Sequence, residues 1–197
     1  MAGDEKQQAV TAVAVEAVLP AWLERPGVKL EPYRALIESA CQLTRLPFWL
    51  VCAQIAQESD FNAQAKSPCG AMGLMQIMPA TARSCGIDPA TLWQPETNIR
   101  LGCRILAERR DVFRKESDEE RLKFALAAYN GGLGPVINAQ ALAFRHGVDP
   151  AHWQNVRRML PEAWIYVDGE WKKPDSTQII QYVDRIWQRY ELWRQEE

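Results

Sequence analysis

The sequence predicts a mainly α-helical single domain carrying one small β-hairpin. Apolar residues recur at helical spacing through most of the 197 residues, with Pro and Gly punctuating the pattern. Only residues 164–173 group β-branched and aromatic residues around a central Asp-Gly pair, the signature of a tight hairpin. A chain of this length can bury one substantial core and has no room for a second full-sized domain.

Taken in order, residues 5–19 contain AVTAVAVEAVL and read as an amphipathic or partly buried helix ended near Pro20. The preceding MAGDEK is not the basic segment that opens an export signal. Glu16 interrupts the run, and a membrane span needs about 20 clean apolar residues. The expectation is a chain with no signal peptide of its own and no stable membrane insertion. Residues 31–45 place Pro32 in a first turn and Leu36, Ile37, Ala40 and Cys41 along one face, which predicts a helix. A second helix runs from Pro47 to Glu58, with Val51, Ile55 and Glu58 on one stripe. SPCGAMG is a loop, and a helix restarts at 79–85 behind Pro79. Further helices are expected over 98–110 and 119–129, the latter stopped by NGGLG because glycine takes the left-handed backbone that closes a helix. Beyond it the pattern weakens, with a helix over 151–160 and the hairpin near 164–173. The terminal segment is strongly periodic, with Ile179, Ile180, Val183, Ile186, Trp187 and Tyr190 expected inward.

Composition narrows the function. The content is 47% hydrophobic and 24% charged, ordinary for a globular protein, and a net charge of −2 gives no global reason to bind nucleic acid. Of the five cysteines, Cys41, Cys52 and Cys103 fall in helical patterns and read as buried thiols. Cys69 and Cys85 lie in loop-like sequence, where a bridge would require an oxidising space and suitable geometry. No Cys/His spacing suits a metal site.

The most informative stretch is QESDFNAQAKSPCGAMGLMQIMP, residues 57–79. Glu58 ends an apolar helix, and burial of its base would raise its pKa toward the value a general acid needs. A helix-end glutamate can equally point into solvent, and the helix alone does not choose between them. Asp60 is the only acid close by, and two residues along a helix it projects to another side.

Glu58-Ser59, then SPCGAMGLMQIMP at 67–79, then Ala128-Tyr129-Asn130-Gly131-Gly132 resemble the catalytic domain of the soluble lytic transglycosylases, glycoside hydrolase family 23, related to goose-type lysozyme. The Asn98-Ile99…Gly102…Leu106 helix and Tyr182-Val183…Ile186…Tyr190 fit the same order. The resemblance implies a lysozyme-like helical fold, with N-terminal helices over 1–44 packed on a catalytic domain over 45–197. It implies Glu58 as the single catalytic acid/base. It also implies substrate contacts from Ser67, Gln76, Met78, Tyr129, Asn130 and Tyr182. Taken alone, Ser67 is equally a turn residue before Pro68, Met78 equally a core residue, and Tyr182 a core aromatic. The chain departs from the family at Gln178, where many members carry glutamate, and residues 142–175 match none of its motifs.

The activity implied is cleavage of the β-1,4 bond between N-acetylmuramic acid and N-acetylglucosamine, with closure of a 1,6-anhydro ring. A hydrolytic goose-type muramidase is the alternative on the same fold. A non-catalytic wall-binding component of a phage particle or secretion apparatus is another. The expected partner is the peptidoglycan glycan strand, engaged by a monomer with neither metal nor organic cofactor. The setting implied is synthesis in the cytoplasm and action on periplasmic peptidoglycan after release or delivery, as a phage endolysin, a virion enzyme or a secreted effector.

Overall fold

Proline at the first helical positions starts several of the elements in the computed structural model, which describes residues 20–195. The helix expected over 5–19 lies outside the described residues. α1 spans Arg34–Thr44, entered through a 3-10 turn at Glu31–Tyr33. α2 spans Phe48–Ser59 and buries every residue from Trp49 to Ile55. A helix apolar on all sides belongs in the middle of a core, and this one does. α3 spans Pro79–Ser84, α4 Pro95–Val112 and α5 Asp118–Gly131. At the head of α5 the Ser117 hydroxyl caps the amide of Glu120, and three acids fill the first turn.

Two regions differ from the sequence reading. A helix, α6, occupies Leu133–Arg145, where only irregular chain was expected. Gly134-Pro135 looks like a breaker, yet Pro135 sits in the first turn, where its missing N–H has no helical partner to lose. The helix expected over 151–160 is instead one turn, α7 at Trp153–Val156, followed by a 3-10 turn at Leu160–Glu162. Pro161 disfavours the helical conformation in the residue before it.

The hairpin forms as expected. β1 (Ile165–Val167) pairs antiparallel with β2 (Glu170–Lys172), with Tyr166 opposite Trp171. Asp168 and Gly169 both take positive φ, 53° and 84°, as a two-residue turn of that hand demands. α8, Ser176–Arg194, then crosses the core against α2 and α5. Gly131 permits the α5 contact, since a Cβ there would lie 2.2 Å from the Ile179 side chain.

Residues 22–25, ahead of α1, are fastened to α8. Trp193 Nε1 donates to the Leu23 carbonyl at 2.7 Å and Arg189 Nε to the Trp22 carbonyl at 2.7 Å. Arg25 donates to the Trp193 carbonyl while its guanidinium lies 4.4 Å over the Trp49 ring. All five cysteines are free thiols, Cys69 exposed and Cys85 half-buried. Burial pushes the Cys41 thiol up to about 12, which keeps it unreactive.

Candidate active site

Glu58 lies at the C-terminal end of α2, where the chain leaves the helix through Asp60 in a left-handed conformation. That exit sends Asp60 outward, where it pairs with Lys29 at 2.5 Å. The carboxyl of Glu58 stays partly buried at one edge of a depression of about 240 Å³. Gln57, Asn130, Gln178, Gln181, Tyr182 and Arg185 complete its lining, so Glu58 is the only carboxylate there. A larger, more apolar depression of about 610 Å³ between α1 and α4 offers no comparable chemistry, and its Arg100 pairs with Glu96.

Burial raises the Glu58 pKa to about 7, and the Tyr182 hydroxyl, donating to Oε1 at 2.6 Å, opposes part of that rise. The fully buried Gln54, one turn before Glu58 on the same face, donates from Nε2 to the Tyr182 oxygen at 3.1 Å. The result is a directed chain, Gln54 to Tyr182 to Glu58. It fixes one oxygen of the acid and leaves the other free for a proton. The Tyr182 and Tyr129 hydroxyls are held well above the ordinary phenol value, by burial first and by the nearby Glu58 charge second. Both phenols therefore serve as neutral hydrogen-bond groups.

The loop after α2 forms the adjoining wall, and its backbone is held by side chains from three helices. The Ser59 hydroxyl donates to the Leu74 carbonyl at 2.8 Å and the Tyr129 hydroxyl to the Met75 carbonyl at 2.9 Å. Asn98 from α4, buried, accepts from the Met75 amide at 2.8 Å. Its own amide donates to the carbonyls of Met72 and Leu92 at 2.8 and 2.9 Å. Gly102 leaves space for Met75, whose sulfur would lie 2.3 Å from a Cβ at that position. Within the loop, Met72 bridges both Lys66 and Ile77.

The sequence-predicted residues divide in this geometry. Glu58, Asn130 and Tyr182 line the depression. Tyr129 reaches the Met75 carbonyl with its ring packed on the core. Gln76, at φ 47°, turns its amide back to the carbonyls of Ala65 and Gly73, at 3.0 and 2.9 Å, and so ties the loop to itself. Ser67 is a turn residue whose hydroxyl accepts from the Ala71 amide at 2.9 Å, leaving its proton available to another acceptor. Met78 is 40% exposed, which makes it surface and not core. The sequence reading missed Gln54, Gln57, Gln181 and Arg185. For Gln54 the available signal was an amide one helical turn from Glu58 within an otherwise apolar run.

A helical fold that buries one carboxylic acid at the edge of an amide-lined depression defines a lysozyme-like domain. The family described as transglycosylase SLT domain matches residues 35–149, and the chain belongs to that family. The match begins within α1, so that helix is part of the family's domain. The chain is similar to membrane-bound lytic murein transglycosylase F of Desulfosudis oleivorans, at 34% identity over 87% of this chain and 38% of that protein. The corresponding protein of Maricaulis maris is 40% identical over 71% of this chain and 30% of its own length. Among solved structures, lytic transglycosylase Slt of Pseudomonas aeruginosa superposes with a TM-score of 0.62 at 26% identity, covering 83% of this chain and 24% of that one. The 70 kDa soluble lytic transglycosylase of Escherichia coli gives the same TM-score of 0.62 and 26% identity, over 82% of this chain and 24% of that one. The chain thus spans well under half the length of these relatives. No helix among the described residues is long and apolar enough to cross a membrane.

Proposed function

We propose that this chain is a peptidoglycan lytic transglycosylase that cleaves between N-acetylmuramic acid and N-acetylglucosamine and leaves a 1,6-anhydro-muramoyl end. The observation that carries the reading is the solitary Glu58, partly buried, with a pKa of about 7 and no second carboxylate lining its depression. Two-carboxylate glycosidases place their acids about 5–5.5 Å apart for retention or about 6.5–9.5 Å apart for inversion. The lining residues beside Glu58 are amides, a phenol and a guanidinium, none of which replaces that second acid at neutral pH.

With one acid, the same group serves twice. Protonated Glu58 gives its proton to the glycosidic oxygen, and the bond from that oxygen to the muramoyl anomeric carbon breaks. The substrate's own N-acetyl oxygen stabilises the cation that develops there. Glu58, now a carboxylate, takes the proton of the muramoyl C6 hydroxyl as that oxygen closes on the anomeric carbon. Protons balance, and water forms no bond. Tyr182 keeps one oxygen of Glu58 fixed through both steps, and Asn130 and Gln178 offer amides to the sugar. Ser67, Gln76, Met78 and Tyr129 belong to the wall beside the acid, with Gln76 and Tyr129 shaping it through the loop backbone. Residues 22–25 serve as support, holding α8 at Trp193 and at Arg189, whose guanidinium also reaches Gln57 at the rim of the site at 2.8 Å. The site of action proposed is the periplasmic wall, with the chain working as a monomer.

Mass spectrometry of products released from purified peptidoglycan tests the reaction. Muropeptides with 1,6-anhydro-muramoyl ends support it. Products one water heavier, with reducing ends, would instead establish a muramidase, and wall binding without product would establish a binding component.

Removing the hydroxyl that opposes the Glu58 pKa rise gives a second test. Tyr182→Phe is expected to move the alkaline limb of kcat/KM above its wild-type position near pH 7, since Glu58 then holds its proton more tightly. Turnover falls roughly tenfold as the acid loses its anchor. Gln54→Met should move the limb in the same direction by less, and should add no further shift in the Tyr182→Phe background, because it acts only through that phenol. An additive shift in the double variant would show that Gln54 has another role.

A further inference from the structure

α8 turns one face toward the depression, and Gln178, Gln181, Tyr182 and Arg185 recur on it at helical spacing. Arg185 differs from the cations around it. Arg157 grips Asp184 through two hydrogen bonds at 3.0 and 2.6 Å. Arg189 is committed to the Trp22 carbonyl and Gln57, and Arg194 to Glu191 at 2.8 Å. Among the described residues Arg185 has no ion pair and no hydrogen bond, and it is exposed at the rim of the depression. The charge nearest along its helix face is Arg189, a like charge that feels its presence. One acid, several amides, a phenol and one free guanidinium therefore face whatever enters.

Sugar rings of the glycan strand are neutral. The anionic groups of that polymer hang from the muramoyl O3 position, as the lactyl carboxylate or, where a stem peptide is attached, as the carboxylates of the peptide. A guanidinium presents paired N–H donors that match a carboxylate in plane, which an amide does not. Arg185 lies three residues from Tyr182, about 4.5 Å along the helix axis from the residue that anchors the acid. We propose that Arg185 is a specificity residue that pairs with a carboxylate on the muramoyl O3 substituent, and so aligns the strand over Glu58. This inference rests on the transglycosylase reading of the site.

The test compares kcat/KM of wild type and Arg185→Gln on two substrates. The first is intact glycan strands with stem peptides; the second is strands stripped by an amidase that frees the lactyl carboxylate. If Arg185 reads the stem peptide, the substitution lowers the intact-to-stripped ratio by about tenfold, the weight of one charged hydrogen-bonded contact. If it reads the lactyl carboxylate, the ratio rises instead, because only stripped strands expose that group. An unchanged ratio, whether both rates fall together or neither falls, overturns the proposal. Should wild type release no anhydro product, the transglycosylase reading fails, and Arg185 is then judged by binding alone. Sedimentation of Glu58→Gln with intact sacculi is compared with that of the Glu58→Gln, Arg185→Gln double variant at low and high salt. Binding that weakens in the double variant at low salt supports the pairing, and identical binding overturns it.

Discussion

Glu58→Gln should release no anhydro-muramoyl product, with a loss of at least about 10⁴-fold in kcat, and should at the same time be more stable than wild type at alkaline pH. The size of the activity loss follows from the double duty of the residue. A positioned acid or base contributes about 10²–10⁴-fold, and one carboxyl here supplies both steps with no lining carboxylate to replace it. An amide can neither give up the first proton nor accept the second. Tyr182 can still donate to the amide oxygen, so the fold around the site has no reason to change.

The stability gain is a matter of sign. Folding raises the Glu58 pKa to about 7 from an ordinary carboxylate value, so between those two the folded chain binds more protons than the unfolded one. Stability contributed by this group is complete in acid and is lost as pH rises toward 7, reaching a penalty of the order of a few kcal/mol. Glutamine carries no such penalty. The thermal midpoint of the variant should therefore exceed that of wild type at pH 8, by several degrees, and the difference should vanish near pH 4. Equal midpoints at pH 8 would mean that Glu58 is not held in a desolvating environment. The same titration sets the activity profile. The free enzyme needs Glu58 protonated, so kcat/KM declines above about pH 7.

Much of the fold was legible because its signals are local. Pro79 marks a helix start, and Asp168-Gly169 marks a turn whose backbone only a few residue pairs adopt. α6 escaped because Pro135 has opposite meanings at two places in a helix, and nothing in the sequence says which turn it occupies. At the site, Glu58 and Tyr182 were legible as members of an ordered set of motifs, yet their contact spans 124 residues and only the packing of α8 on α2 creates it. Gln54 gave only a partial signal for the same reason, an amide one turn from Glu58 with no partner yet in view. A glutamine in an apolar helix acquires meaning only when a phenol from α8 arrives above it. Gln76 shows the converse. Its place in a cleft motif suggested a sugar contact, while its amide donates to the loop carbonyls of Ala65 and Gly73, partners that only the folded loop brings within reach.

Asn98→Leu should be among the most damaging substitutions away from the acid, although Asn98 does not line the depression. Its side chain satisfies one amide and two carbonyls of otherwise irregular backbone, all at 2.8–2.9 Å and in a buried setting. Leucine nearly preserves volume and removes every one of those bonds. The Met72 carbonyl keeps the Ile77 amide at 3.0 Å, while the Met75 amide and the Leu92 carbonyl lose their Asn98 partner. Each polar group left buried without a partner costs about 1–3 kcal/mol, so a loss of about 2–5 kcal/mol is expected against a typical total of about 5–15 kcal/mol. That corresponds to a fall of roughly 10 °C in thermal midpoint for a domain of this size. Activity should fall further than the folded fraction does. The Met75 backbone that Asn98 holds is also the partner of the Tyr129 hydroxyl, so loosening the loop displaces the wall beside Glu58. Asn98→Asp separates the two halves of the amide. It keeps the acceptor for the Met75 amide but sets a buried carboxylate oxygen against the Met72 and Leu92 carbonyls, so at neutral pH its midpoint should fall at least as far as that of the leucine variant. If Asn98→Leu melts within a degree or two of wild type, the loop is held by its own bridges and by Ser59 and Tyr129 alone.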